Sequence, residues 1–205
     1  MREKSIFLPK ISVVLGLTGP NAAGKGEVCK YLSEKGYYVT SLSNILRKIA
    51  TERNISLSRI NLVNLGNELR EKYGAGVLAK WLIRELSKNH NKAYDKVVVD
   101  SIRNIQEVQE FKNKFKERFF LIYVDASKKL RFKFMRLRNR EGDPKTYKEF
   151  LEVEKKEKSD KLTHQQIHKC KELRNFLIYN NSTLEELHKK IDKILQKINS
   201  YGRKE

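Results

Sequence analysis

Ile11-Ser-Val-Val-Leu-Gly-Leu-Thr-Gly19-Pro-Asn-Ala-Ala-Gly24-Lys25-Gly26-Glu27-Val28 is an apolar run that ends in a loop reading G-x-x-x-x-G-K. A helical pattern follows at once. Strand, glycine-spaced loop, lysine and helix in that order make a phosphate-binding loop. The glycines let the backbone curl so that successive N–H groups point inward at an anion. The lysine neutralises the outer phosphates, and the helix contributes its positive N-terminal end. The competing reading, a glycine turn that binds nothing, does not account for the lysine at that spacing. One position departs from the usual pattern: Gly26 and then Glu27 follow Lys25, where a Ser or Thr hydroxyl ordinarily reaches Mg²⁺. Glu27 either holds a metal-bound water or weakens triphosphate binding by repulsion.

Working outward, the 205 residues suffice for one α/β domain with a buried core. No stretch approaches the ~18 consecutive apolar residues of a membrane span, and Ile6-Phe-Leu-Pro9 is too short for a secretion signal. The two cysteines, Cys29 and Cys170, are far apart in sequence and form no metal-like or redox pair. That pattern points to a cytoplasmic protein with no membrane partner. Lys and Arg number 44 against 25 Asp and Glu, a net charge of +19. Such an excess suits polyanionic partners such as phosphorylated coenzymes, nucleotides or RNA. Because the lysines are spread over helices, it equally fits a compositional bias with solvated side chains.

After the loop, Val28, Tyr31 and Leu32 give one apolar helix face, stopped by Gly36. Tyr37–Thr40 reads as a strand, and Ser41-Leu42-Ser43 caps a helix that carries Arg47 one turn in. A strand, a serine turn and an arginine suit a second phosphate, although a surface arginine has the same spacing. Residues 51–60 read as a polar connection. Leu62, Leu65 and Leu69, with Arg70 beside them, begin another helix from Asn61, and Val77–Leu86 makes a third. Lys96–Asp100 is a β-branched strand of the kind covered on both faces, with an acid at its C-terminal end, where open α/β sheets bind ligands. Asp100 is a candidate metal-water ligand or proton acceptor, or else a strand-end cap.

Ile105–Lys116 predicts a helix and Phe119–Val124 a strand. Asp125-Ala126-Ser127 caps a basic helix from Lys128 to Arg140, with Arg131, Arg136, Arg138 and Arg140 approaching the stop at Glu141-Gly142-Asp143-Pro144. Arginines so placed suit a lid that stabilises charge on a phosphoryl group in flight, or a solvated basic helix. Residues 146–175 are charged and helical in pattern. His164 and His168 at i, i+4 lack a third ligand and the H-E-x-x-H glutamate, so no metal site is read there. Phe176–Tyr179 is a last strand, Asn180–Ser182 a turn, Thr183–Ile198 a closing helix and Tyr201–Glu205 a frayed end. Alternating strands and helices predict a three-layer α/β/α domain over residues 1–205, with a parallel sheet of about five strands.

Taken together, these segments resemble the nucleoside monophosphate kinase group of P-loop proteins. Within it the chain is similar to adenylate-kinase-like and dephospho-CoA-kinase-like proteins, including uncharacterised archaeal relatives and the kinase-like extension fused to some dCMP deaminases. Gly16–Val28, Ser41–Arg47, Leu65–Gly74 and Val97–Arg103 carry the first half of the likeness. Arg136–Thr146, His164–Cys170 and Asn180–Leu187 carry the second. The resemblance implies a P-loop NTPase fold with a helical lid at about residues 136–165 and an acceptor-binding helical segment at about 41–90. It implies ATP and Mg²⁺ as cofactors and a small phosphate-bearing acceptor, either a nucleotide or a coenzyme precursor. Gly19 and the backbone of Asn21, Ala22, Ala23, Gly24, Lys25, Gly26 and Glu27 would hold the donor phosphates. The segment with Asn180 and Ser182 would lie by the donor base. Ser43, Arg47, Arg70 and Arg103 would take the acceptor, Asp100 would hold Mg²⁺ through water, and Arg138 and Arg140 would be lid arginines. Asn44 and Ser101 stand where such proteins often have Asp and Gly.

Overall fold

Val13–Thr18 (β1), Tyr38–Ser41 (β2), Lys96–Asp100 (β3), Phe119–Asp125 (β4) and Phe176–Tyr179 (β5) form one parallel sheet in the order β2-β3-β1-β4-β5. The structure is a computed structural model that describes residues 11–88, 94–139, 143–156 and 160–201. The Ile6–Pro9 patch, Arg140 with the glycine of its turn, and residues 202–205 lie outside the described residues. The helices are Lys25–Glu34 (α1), Leu42–Glu52 (α2), Arg59–Tyr73 (α3), Val77–Lys88 (α4), Ile105–Phe115 (α5), Lys128–Arg138 (α6), Tyr147–Lys156 (α7), Ile167–Cys170 (α8) and Leu184–Tyr201 (α9).

Successive strand residues point to opposite faces, and here both faces are apolar because both are covered. Val14, Val97, Val99 and Leu121 pack on one side with residues of α2, α3, α4 and α5. Leu15, Leu17, Val98, Ile122, Val124 and Ile178 pack on the other with α1 and α9. On α9 the buried residues Leu187, Ile191, Ile194 and Ile198 recur at helical spacing. Burying each stabilises the fold by about 1.5–3 kcal/mol before entropy is counted. Gly16 lies mid-strand because a Cβ there would meet Ile102 Cδ1 and Phe119 Cζ at 2.7 Å.

The sheet confirms the three-layer architecture and corrects several local readings. α2 continues to Glu52 and α3 begins at Arg59, so the polar connection shortens to residues 53–58. Ser58 ends it by accepting from Asn61 N. The expected helical stretch at 146–175 resolves into α7 and the short α8. His164 therefore precedes α8, off the helix that bears His168. The two rings face different acids, His164 towards Glu71 and His168 towards Asp160. Since β1 lies between β3 and β4, the chain winds to one side for β2 and β3 and to the other for β4 and β5. A crevice opens at that reversal, beyond the strands' C-terminal ends. Among the described residues no helix is long and apolar enough to cross a membrane.

Candidate active site

The loop after β1 is shaped by two glycines. Gly19 has φ 128°, and a Cβ there would lie 2.0 Å from Val124 O of β4. Gly24 has φ 98°, and its Cβ would lie 2.2 Å from Asn180 Nδ2. Any side chain at either place would push the loop off the sheet end. Asn180, just past β5, is buried. Its Nδ2 donates to Ala23 O at 3.1 Å and its N–H to Asp125 O at 2.7 Å, so the turn after β5 buttresses the loop from below.

Lys25, first residue of α1, folds back over the loop. Its Nζ donates to Gly19 O and Pro20 O, both at 2.8 Å. Burial, with the Arg103 charge nearby, lowers its pKa to about 8. The ammonium is thus desolvated, and the groups it donates to are neutral carbonyls, which a polyphosphate would outcompete. Glu27 is exposed in the first turn of α1, where the helix's positive end favours a carboxylate.

These residues floor a cleft of about 1370 Å³. Asp100 enters from the end of β3. Its Oδ2 accepts from Ser101 Oγ at 3.3 Å, while Oδ1 is buried with no hydrogen-bond partner among the described residues. An orphaned carboxylate oxygen on a residue that lines the same cleft as the phosphate-binding loop suits Mg²⁺, which keeps several waters and takes one or two carboxylates plus substrate oxygens. Asp100 through water, with Glu27 as a second acid in the lining, fits that requirement. Among the described residues no three His, Cys, Asp or Glu side chains gather into an all-protein metal cage. Ser101 has φ 64°, a left-handed conformation that a glycine would adopt without penalty.

Arginines ring the cleft. Arg47 comes from α2, beside Ser43, and Arg70 comes from α3. Arg103 follows β3, and its Nη1 donates to Gln165 Oε1 at 3.4 Å. Arg138 ends α6; its Nε and Nη2 grip Asp143 at 2.8 Å each, and Nη1 donates to Asn21 Oδ1 of the loop at 3.4 Å. The end of α6 therefore already touches the phosphate loop.

The structure brings together in one lining Asn21, Ala22, Gly24, Lys25, Gly26, Glu27, Ser43, Arg47, Arg70, Asp100, Arg103, Arg138 and Asn180. Gly19 and Ala23 shape the loop without lining the cleft. Ser182 is not brought in. It is exposed, because once Asn180 is tucked under the loop the chain turns outward, and Asn181 Oδ1 caps Ser127 N at 2.8 Å. Arg140 lies outside the described residues. Arg131 is no lid residue: it is buried, donates to Ala126 O at 3.0 Å and pairs in two-pronged fashion with Glu154 of α7. Arg136 is exposed and outside the lining.

Sequence reasoning missed Arg59, Gln165, and the apolar Phe134 and Leu137 of α6. Arg59 was legible as an arginine directly after a serine cap, the same logic that singled out Arg47. Gln165 carried no signal of its own. Burial also pushes the thiols of Cys29 and Cys170 up to about 12, so neither is a poised nucleophile.

Sheet order, loop and cleft define an α/β P-loop protein of kinase-like fold. Comparison with known proteins agrees. The chain aligns with a gluconokinase from Sinorhizobium meliloti at TM-score 0.56 and 13% identity, covering 96% of this chain and 99% of that one. It aligns with a shikimate kinase from Acinetobacter baumannii, solved with shikimate, at TM-score 0.54 and 19% identity, covering 95% and 97%. A family model described as an AAA domain matches residues 15–160. The UPF0200 protein PH1008 of Pyrococcus horikoshii is 34% identical over 187 residues, 91% of this chain and 97% of that protein. The chain belongs to the UPF0200 family of P-loop proteins.

Proposed function

We propose that the protein is an ATP- and Mg²⁺-dependent kinase that transfers a phosphoryl group to a nucleotide-like acceptor of the nucleoside or deoxynucleoside monophosphate type. The observation that carries this reading is one cleft holding the phosphate loop, an acid with an unpartnered oxygen, and arginines from four different segments. Gly24, Lys25 and the loop amides bind the donor phosphates. Arg47 and Arg70, on the helices within the 41–90 segment, face the acceptor together with Ser43 and Arg103. Arg138, on the arm that runs into the proposed lid at 136–165, meets the transferring group. Mg²⁺ held through Asp100 would neutralise charge on the donor phosphates. Catalysis is then positioning plus electrostatics, with the guanidinium groups stabilising charge that spreads over the moving phosphoryl oxygens.

A phosphate acceptor needs no general base. Among the described residues the acids in the lining besides Asp100 are Glu27 at the loop and Asp143, which is paired with Arg138. That favours a phosphate nucleophile over a hydroxyl. Dephospho-CoA kinase activity is the second enzyme reading, supported by a cleft large enough for a coenzyme-sized acceptor. A nucleotide-gated RNA- or protein-binding ATPase is the third, supported by Glu27 in place of the metal-binding hydroxyl and by the net charge of +19.

Labelled ATP with Mg²⁺, offered across nucleoside and deoxynucleoside monophosphates and dephospho-CoA, tests all three. One strongly labelled monophosphate product is expected. Labelling of dephospho-CoA alone would select the second reading, and slow phosphate release with no labelled acceptor the third. Lys25→Ala should abolish transfer while leaving the circular-dichroism spectrum unchanged, because it removes a buried charge rather than a packing element.

A further inference from the structure

Asn104 follows Arg103 in the turn after β3 and is fully buried. Its side chain has two sets of partners. Oδ1 accepts from Gln106 N at 2.8 Å, which caps α5, and Glu107 Oε2 completes the capping box by accepting from Asn104 N at 3.1 Å. Nδ2 donates to Leu162 O at 2.6 Å and to His164 O at 2.8 Å. An N–H on one side and two carbonyls on the other fix which end of the amide is nitrogen.

Capping alone does not call for asparagine. Asp and Ser cap a helix about as well, because the cap uses only an oxygen acceptor. Asparagine adds a two-hydrogen donor beside that acceptor. Here both hydrogens go to chain 58 and 60 residues downstream, far from the helix being capped.

Residues 162–166 cross the turn as a strap. His164 N closes a turn onto Lys161 O at 3.0 Å, and Gln166 N donates to Arg103 O at 2.7 Å. The carbonyl of His164 and the N–H of Gln166 belong to the two peptide groups that flank Gln165. Both are therefore bonded to the Arg103–Asn104 turn, and two planar peptides held in this way fix the Gln165 backbone between them. Gln165 lines the cleft, where its Oε1 accepts from Arg103 Nη1 at 3.4 Å. An arginine on a long flexible stem loses rotamer freedom when it binds an anion, and a partner that holds it beforehand reduces that loss.

We propose that Asn104 is the positioning residue for Arg103. By pinning the strap it places Gln165, and Gln165 holds the Arg103 guanidinium at the cleft before any ligand arrives. The benefit to acceptor binding rests on the phosphoryl-transfer reading, whereas the strap and the ordered arginine are properties of the free protein.

The test compares wild type, Asn104→Asp, Gln165→Ala and the double variant by nitrogen-15 NMR of the intact protein. Asn104→Asp keeps the cap but sets an oxygen that cannot donate against two carbonyls. The Gln106 amide should stay as protected from hydrogen exchange as in wild type, while the Gln166 amide exchanges about tenfold faster. The Arg103 Nε–H should be ordered in wild type and motionally averaged in each variant. Inorganic phosphate, added with the loop filled by ADP, stands in for the phosphate of any acceptor and is followed at Arg103 Nε. Its affinity should fall about tenfold in each single variant and no further in the double variant, because both act through one hydrogen bond to a charged group. ADP should move the Gly24 and Gly26 amides alike in all four proteins. A Gln166 amide still protected in Asn104→Asp overturns the proposal, as does an Arg103 that stays ordered in the variants or losses that add in the double variant. An Arg103 ordered by the strap yet indifferent to phosphate in wild type would support the positioning role and count against the phosphoryl-transfer reading.

Discussion

Lys25 sits in a loop that desolvates it before any ligand arrives, and this gives the free protein a pH signature. With the folded pKa near 8, below the ordinary lysine value of 10.5, the unfolded chain binds the extra proton between those two values. This group's contribution to the stability of the ligand-free protein therefore rises with pH across that window. A bound polyphosphate favours the ammonium form. At pH 8, ADP binding should take up about half a proton, seen as a dependence of the calorimetric heat on the buffer's ionisation enthalpy. Above pH 8 the affinity should fall by up to about tenfold per unit. Heats independent of buffer would mean that Lys25 keeps its proton throughout. Ser101 belongs to the same scale. Its left-handed backbone costs roughly 1 kcal/mol, so Ser101→Gly should raise the thermal midpoint by about 2–4 °C. A lower midpoint would show that its hydroxyl bond to Asp100 outweighs the strain.

α6 carries two arginines with opposite duties, separated by about two turns. Arg131 points into the α6–α7 contact, where its guanidinium lies over the Phe150 ring and pairs with Glu154. Arg138 points past the helix end to Asp143 and Asn21. Arg131→Ala leaves a mostly buried carboxylate without its partner and should cost about 3 kcal/mol in chemical denaturation. Arg138→Ala strips Asp143 of its two-pronged partner and should lower stability too; under the kinase reading it should also lower turnover more than ATP affinity, because the arginine would act on the transition state. Unchanged turnover would remove Arg138 from the lid. The basic helix was legible from its charge run. Which arginine faces the cleft was not, since that depends on the rotation of α6 against α7 and on a glutamate 23 residues further on.

For the whole molecule, the net charge of +19 is a surface property, and it has to be separated from the cleft. Under the kinase reading the lysines are solvated, and a filter-binding assay at physiological salt should retain no RNA. Salt-sensitive retention would support the nucleotide-gated binding reading. The sheet was legible because each strand is a short apolar run bounded by turn residues, as at Lys96–Asp100 and Phe119–Asp125. Strand order was not, since a parallel pair such as β1 with β4 joins segments about a hundred residues apart through backbone bonds that leave no local trace.

The sequence by itself determined the α/β alternation, the phosphate loop at Gly19–Lys25, the acid at the end of β3 and the serine caps ahead of Arg47. All of these are local, because glycine geometry, β-branching, helical period and capping act over a few residues. Only the tertiary structure decided that Asn180 supports the loop from below while Ser182 turns away. It likewise decided that Arg131 is structural while Arg138 reaches Asn21, and that Arg70 is held by a glutamate 37 residues downstream. Side-chain pairs of that kind are set by which elements meet and at what rotation, and that is fixed when the whole core packs.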